Sequence, residues 1–309
     1  MVRNISSCSA GEGPMWRPTK SSVPSSSVRV GRVSMRPPRQ FDLNRITEDP
    51  GSCHEQRYVP IMATPTSYLD SIRALTAPVG DLGGRWMLAP EVLEPSKTAG
   101  YRNGYLYYIV GRGGVLGDVE AAVVSSAFGF FAPSLMRKMW VEGVAVEGAR
   151  AAAARYGAAC AEFGRTRLAG FAGAARLCQL AERVAIGVDD SGLALFAGWR
   201  AERLPDDVEA RSLFLLHVLR ELRGSAHLLA VVASGLPPLH AVLATGGEEN
   251  AIRFGWSPPF PIVTSADKAP AEELTDRVLA GLYAAVLSPE EAAELAELVR
   301  AAVAHIGAR

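Results

Sequence analysis

The chain has 309 residues, with 32 Lys+Arg against 32 Asp+Glu, and 49 % of it is apolar while only 7 % is aromatic. The apolar share excludes a wholly disordered protein, and the charge balance excludes the strongly basic surface expected of a chain that lives on nucleic acid. No apolar run reaches the roughly 18 to 20 residues of a membrane span, because Arg, Glu or Asp interrupts each candidate.

The zero charge is unevenly distributed. Residues 1–61 hold nine Lys+Arg and five Asp+Glu, so residues 62–309 hold 23 and 27. The first segment also carries ten Ser and seven Pro without apolar periodicity, a composition that cannot offset its ordering entropy, and it is expected to be disordered. No secretory apolar core lies between Met1 and Val33. The Arg- and Ser-rich start allows an organellar transit peptide, but the Ala-, Arg- and Gly-rich body resembles high-GC bacterial coding. Met62 is therefore the expected true start and the tail an over-extended one; a basic arm that touches an anionic partner is the sharper alternative. The expected organisation is a tail over 1–61, an N-terminal helical domain over 62–200 and a C-terminal helical domain over 201–309. Cys8 and Cys53 fall in the tail, and Cys160 and Cys178 sit on separate Ala-rich stretches without a Cys-x-x-Cys pairing. The expectation is buried thiols in a cytoplasmic protein, with neither a zinc site nor a disulfide framework.

From Tyr68 onward, helix formers dominate between Gly and Pro punctuation, so the predicted fold class is all-α, a multi-helix globular protein. Tyr105 to Val110 leads into Gly111-Arg112-Gly113-Gly114, read as a helix whose last turn carries Arg112, followed by a loop of glycines that permits close packing. Ala149 to Phe163 and Arg165 to Ile186 read as amphipathic helices closed by the Gly187 to Gly192 turn cluster. Residues 205–224 form the clearest helix, started by Pro205 and Asp206, apolar nearly all round and therefore central, with Gly224 as its stop. Short helices are predicted over 226–234, closed by Gly235, and 238–245, closed by Gly246-Gly247. Phe254 to Pro270 reads as an irregular connector. Ser288, Pro289 and Glu291 form a capping signature for a terminal helix, on which His305 is expected at the surface.

Two features carry candidate chemistry. The first is the glycine run from Gly111 to Gly117. Its third glycine is one position late for a dinucleotide turn, no acid follows at the required distance, and no Lys follows as in a phosphate loop. No cofactor is implied. The second is the set His217, Arg220, Glu221, Arg223 and His227. Ionisable groups on an apolar central helix cost free energy unless they pair or bind something. Three readings stand open: a satisfied buried network, a pocket for an anionic or polar small molecule, and a metal or acid–base centre of His217, Glu221 and His227 in which the neighbouring arginines would repel a cation. Tyr108 and Arg112 are added to this set as candidate ligand-binding residues.

Tyr101-x3-Tyr105 through Arg112-x3-Leu116-Gly117, Ala127 to Pro133, Leu219 to His227, Gly255-Trp256-Ser257 and Glu273-x-Thr275-Asp276 together resemble an actinobacterial family that carries a helix-turn-helix label, sometimes SalK. The resemblance covers nearly all of residues 68–306. It implies a mostly helical protein with a winged-helix-like C-terminal part, here degenerate, and a transcription-regulator role. The family motif typically reads Arg-Glu-His-Arg-Gly-Asp-Gly-His, whereas this chain has Leu222, Ser225 and Ala226 at the middle histidine, the aspartate and the second glycine. About 30 to 40 residues of presumed recognition helix and wing are replaced by Pro258 to Ala271. The preferred expectation is a small-molecule-binding, regulator-like protein of specialised metabolism with weakened DNA binding. The alternatives are a DNA-binding regulator, and an enzyme of a biosynthetic pathway using the His/Glu/Arg cluster. A small-molecule ligand is the expected partner, a homodimer is allowed for, DNA is disfavoured, and no membrane is expected.

Overall fold

A computed structural model describes residues 66–307; the expectations for the tail fall outside the described residues. These residues form helices joined by turns, with no strand among them. The order is α1 (Thr66–Arg85), α2 (Pro90–Thr98), α3 (Gly104–Gly113), α4 (Ala121–Phe128), α5 (Pro133–Glu147), α6 (Ala149–Arg167), α7 (Ala174–Gly187), α8 (Ala194–Arg200), α9 (Val208–Ala233), α10 (Pro238–Arg253), α11 (Ala269–Ala284) and α12 (Pro289–Gly307). The chain is all-α, as expected.

The organising element is α9, 26 residues long, whose start is capped by the Asp207 carboxylate accepting from the Ala210 amide. Its apolar residues face every direction, and α1, α6, α7, α8 and α11 pack around it. The predicted stop at Gly224 is corrected by the structure: α9 runs through Gly224 to Ala233 without a break. One interior glycine costs only about 1 kcal/mol of helix propensity, and burial of Ala226, Ala230 and Val231 on the following turns outweighs it.

Other boundaries shift for similar local reasons. Helices α6 and α7 take the place of the two Ala-rich helices, separated by a turn that includes Gly170 at φ 71°. Helix α10 continues past Gly246-Gly247 to Arg253, but those two residues are non-helical and kink it. The connector after Phe254 is irregular until a 3₁₀ turn at Ser265–Lys268, and Pro270 already belongs to the first turn of α11. The terminal cap is present, with the Ser288 hydroxyl accepting from the Glu291 amide while the Glu291 carboxylate accepts from the Ser288 amide. His305, expected at the surface, is half-buried and bonds the Ala169 carbonyl oxygen at 3.1 Å.

The glycine run has a packing explanation. A Cβ at Gly111 would lie 2.6 Å from the Tyr156 ring, and one at Gly114 would lie 2.1 Å from the Ala149 carbonyl oxygen. The absence of side chains lets α3 press against α6, which fixes where Arg112 points.

Candidate functional site

The site is built where α3 crosses α9. Arg112, in the last turn of α3, donates from Nε and Nη2 to the two oxygens of Glu221 at 2.9 and 2.8 Å. This fork geometry is the strongest form of the pair, and Arg220 adds a third donor to the same carboxylate at 2.8 Å. The third nitrogen of Arg112 donates to the Tyr108 hydroxyl at 3.2 Å, and its guanidinium lies 4.4 Å from the centre of the Phe128 ring. Burial alone would raise the Glu221 pKa, but the field and hydrogen bonds of Arg112, with Arg220 behind them, hold it down to about 2. Burial likewise works against the Arg112 charge, and Glu221 outweighs it. Two guanidinium groups thus share one fully buried carboxylate, leaving one positive charge uncompensated.

His217 lies on the far side of Glu221, fully buried between Trp86 and Trp199 with edge-to-face ring contacts at 5.1 and 4.4 Å. Neither ring nitrogen makes a hydrogen bond, and the nearer Glu221 oxygen is 3.9 Å from Nδ1. Burial drives its pKa down to about 3, although the Glu221 carboxylate favours the charged ring. It is a neutral imidazole packed as an aromatic group.

One helical turn beyond, α9 meets α11. Arg223 donates to Glu272 at 3.1 Å, while its buried Nε has no partner. The Thr275 hydroxyl donates to the Ala271 carbonyl at 2.7 Å, so it accepts from Nδ1–H of His227 at 2.9 Å and leaves Nε2 as an acceptor. The His227 ring stacks on Phe130, and burial lowers its pKa to about 4 against the pull of Glu272.

A cavity of about 390 Å³ lies between these groups. Of the seven residues singled out from the sequence, Tyr108, Arg112, Arg220, Arg223 and His227 line it, together with an aromatic wall that includes Phe128, Phe130 and Phe131. Glu221 stands behind the arginines and His217 is sealed off from the cavity. Consequently His217, Glu221 and His227 do not converge, and no group of three or more His, Cys, Asp or Glu able to hold a metal occurs among the described residues. Sequence reasoning missed the aromatic wall, although Phe128, Phe130 and Phe131 stand close together in the chain. It also missed Glu272 and Lys268 of the α11 side, which no spacing connects to α9.

The same long helix leads into a sharp turn. After Ser234-Gly235-Leu236-Pro237, α10 leaves α9 at 114°. A four-residue connection containing a glycine, between helices at roughly 90 to 120°, is the geometry of a helix-turn-helix. Fold and site therefore define an all-helical protein with a cationic cavity on its central helix and a sharply turned helix pair beyond it. Residues 72–259 match the model of a helix-turn-helix family, more than half of the chain, and the chain belongs to that family. No curated protein and no solved structure matches it. Among the described residues, no single helix is long and apolar enough to cross a membrane.

Proposed function

We propose that this is a small-molecule-binding, regulator-like protein whose cavity on α9 takes an anionic ligand and whose DNA-reading capacity is weakened. The observation that carries the ligand reading is the sharing of Glu221 by Arg112 and Arg220, which leaves a net positive charge at the wall of the cavity. The aromatic wall suits a ligand with a flat apolar body. In this reading, within a cytoplasmic protein of specialised metabolism resembling the SalK-type sequences, the ligand is an aromatic carboxylate or a similar anion. Titration calorimetry with benzoate tests it. Binding by the full chain that is lost in Arg220→Gln supports the reading, and the absence of binding by the wild type overturns it.

The weakened DNA reading rests on α10. A helix entering the major groove needs Lys and Arg to neutralise phosphates. The first half of α10 carries neither, the second half begins with the exposed Glu248 and Glu249, and its one Arg253 already faces Glu249 at 3.6 Å. A working DNA-binding regulator is the second reading, favoured by the 114° helix pair and the family membership. A mobility shift with upstream DNA at low salt separates the two: a sequence-specific shift overturns weakened binding.

A further inference from the structure

The largest cavity among those described is a trough of about 1270 Å³ between α4, the C-terminal half of α9 and the start of α10, which adjoins the first cavity at Ala127 and Phe131. Its lining is almost entirely apolar or small, and it contains no Asp or Glu. Helix α9 is covered elsewhere along its length, yet here Leu229 and Val232 stand exposed, opposite the half-exposed Val123 of α4. Exposed apolar side chains gathered on one concavity mark a binding surface rather than chance.

A charge count says what kind of occupant fits. Among the described residues every Lys and Arg has a carboxylate oxygen within 4.0 Å except two, Arg137 and its neighbour Lys138. Arg137 lines this trough, and it is the only charged residue that does so among those described. Pro133, the first residue of α5, lines it too, so the start of that helix borders the same trough. Of the two described cations without a carboxylate partner, Arg137 is the one that stands at the edge of this acid-free apolar trough.

We propose that this trough is a second ligand site, for a small amphiphilic anion whose hydrocarbon body lies along Val123, Leu229 and Val232 and whose carboxylate meets Arg137. Its charged end at Arg137 and its apolar wall are not part of the cavity around Arg220, which it adjoins only at Ala127 and Phe131.

Calorimetric titration of the full chain with dodecanoate, 1-dodecanol and butyrate, below micellar concentration, tests the assignment. Each buried methylene contributes about 0.8 kcal/mol to transfer, so dodecanoate is expected to bind at least roughly 100-fold more tightly than butyrate. Arg137→Gln is expected to weaken dodecanoate about tenfold, as loss of one charge-assisted contact does, and to leave dodecanol unchanged. Val232→Asp, at a position 63 % exposed, is expected to abolish both with the circular dichroism and melting of the wild type retained. Arg220→Gln is expected to change neither. Equal binding of dodecanoate and butyrate overturns the proposal, as does an Arg137→Gln variant with unaltered dodecanoate affinity. Loss of dodecanoate binding in Arg220→Gln would move the amphiphile to the other cavity. Binding to phosphatidylglycerol vesicles without binding of monomeric dodecanoate would make the face a membrane surface. Conversion of a dimer to a monomer by Val232→Asp with dodecanoate binding intact would make it an interface between copies; each of these three results also refutes the site.

Discussion

Replacing Glu221 by Gln tests the electrostatic core of the cavity wall. The substitution preserves shape but removes the only carboxylate that Arg112 and Arg220 share. Arg220 is partly exposed and can turn toward water, whereas the side chain of Arg112 is 10 % exposed and held under Phe128. Breaking one partner of a buried pair costs about 3–5 kcal/mol. The amide oxygen still accepts one hydrogen bond, so the low end, about 3 kcal/mol, is expected. That is a large part of a net stability of about 5–15 kcal/mol. At about 2–4 °C per kcal/mol for a domain of this size, the melting midpoint should fall by roughly 6–12 °C. Urea unfolding at pH 7, followed by circular dichroism, gives the free energy directly. The partner experiment combines Glu221→Leu with Arg112→Met, which replaces the pair by apolar groups and should recover most of the loss. A single-variant loss below about 1 kcal/mol, or a double variant whose loss equals the sum of the singles, would refute the coupling.

Acid should destabilise the fold in a defined window. His217 and His227 are held at about 3 and about 4 when folded, below the ordinary value near 6.5, so between pH 6.5 and 4 the unfolded chain takes up protons that the folded chain refuses. Stability is fully present above about pH 6.5 and falls by up to about 1.4 kcal/mol per pH unit for each histidine, roughly 4 kcal/mol in all at pH 5; a urea midpoint that stays flat over this window would contradict their burial as neutral rings. Gly114→Ala should lower stability by about 1–3 kcal/mol or more, because its Cβ would meet the Ala149 carbonyl at 2.1 Å. Gly224→Ala should raise stability by about 0.5–1 kcal/mol, since that glycine is in the middle of α9 with open space around its Cβ position; thermal denaturation of the pair should move in opposite directions, and a shared sign would undo the reasoning for one of them.

The helical class, the central position of α9 and the capping of α12 were legible because each rests on residues close in the chain: the all-round apolar set from Leu213 to Leu222, and Ser288 with Glu291. Boundaries set by tertiary packing were not. Gly224 carries a valid local stop signal, and only the burial of Ala226, Ala230 and Val231 against other helices overrides it. The candidate site divides in the same way. Arg220, Glu221, Arg223 and His227 were visible as ions on an apolar helix, and Arg112 as the basic end of a preceding helix. That Arg112 is the fork that closes on Glu221, 109 residues away in sequence, depends on the close approach of α3 and α6 at Gly111 and Gly114. Nothing local announced that His217 would be walled off by Trp86 and Trp199.

The departures of this chain from the motif it resembles now have a physical sense. Leu222 and Ala226 are fully buried in α9, and Ser225 is nearly so. A histidine or an aspartate at 222 or 225 would bring another titratable group toward the protein interior, where burial penalises its charged form. Arg220, Arg223 and His227 are on the other side of the helix, where they line the cavity. The ionisable groups that line the cavity thus stand apart from the packed positions Leu222 and Ala226. Helix α10 has the helix-turn-helix angle and opens its second half with Glu248 and Glu249, carboxylates that repel phosphate.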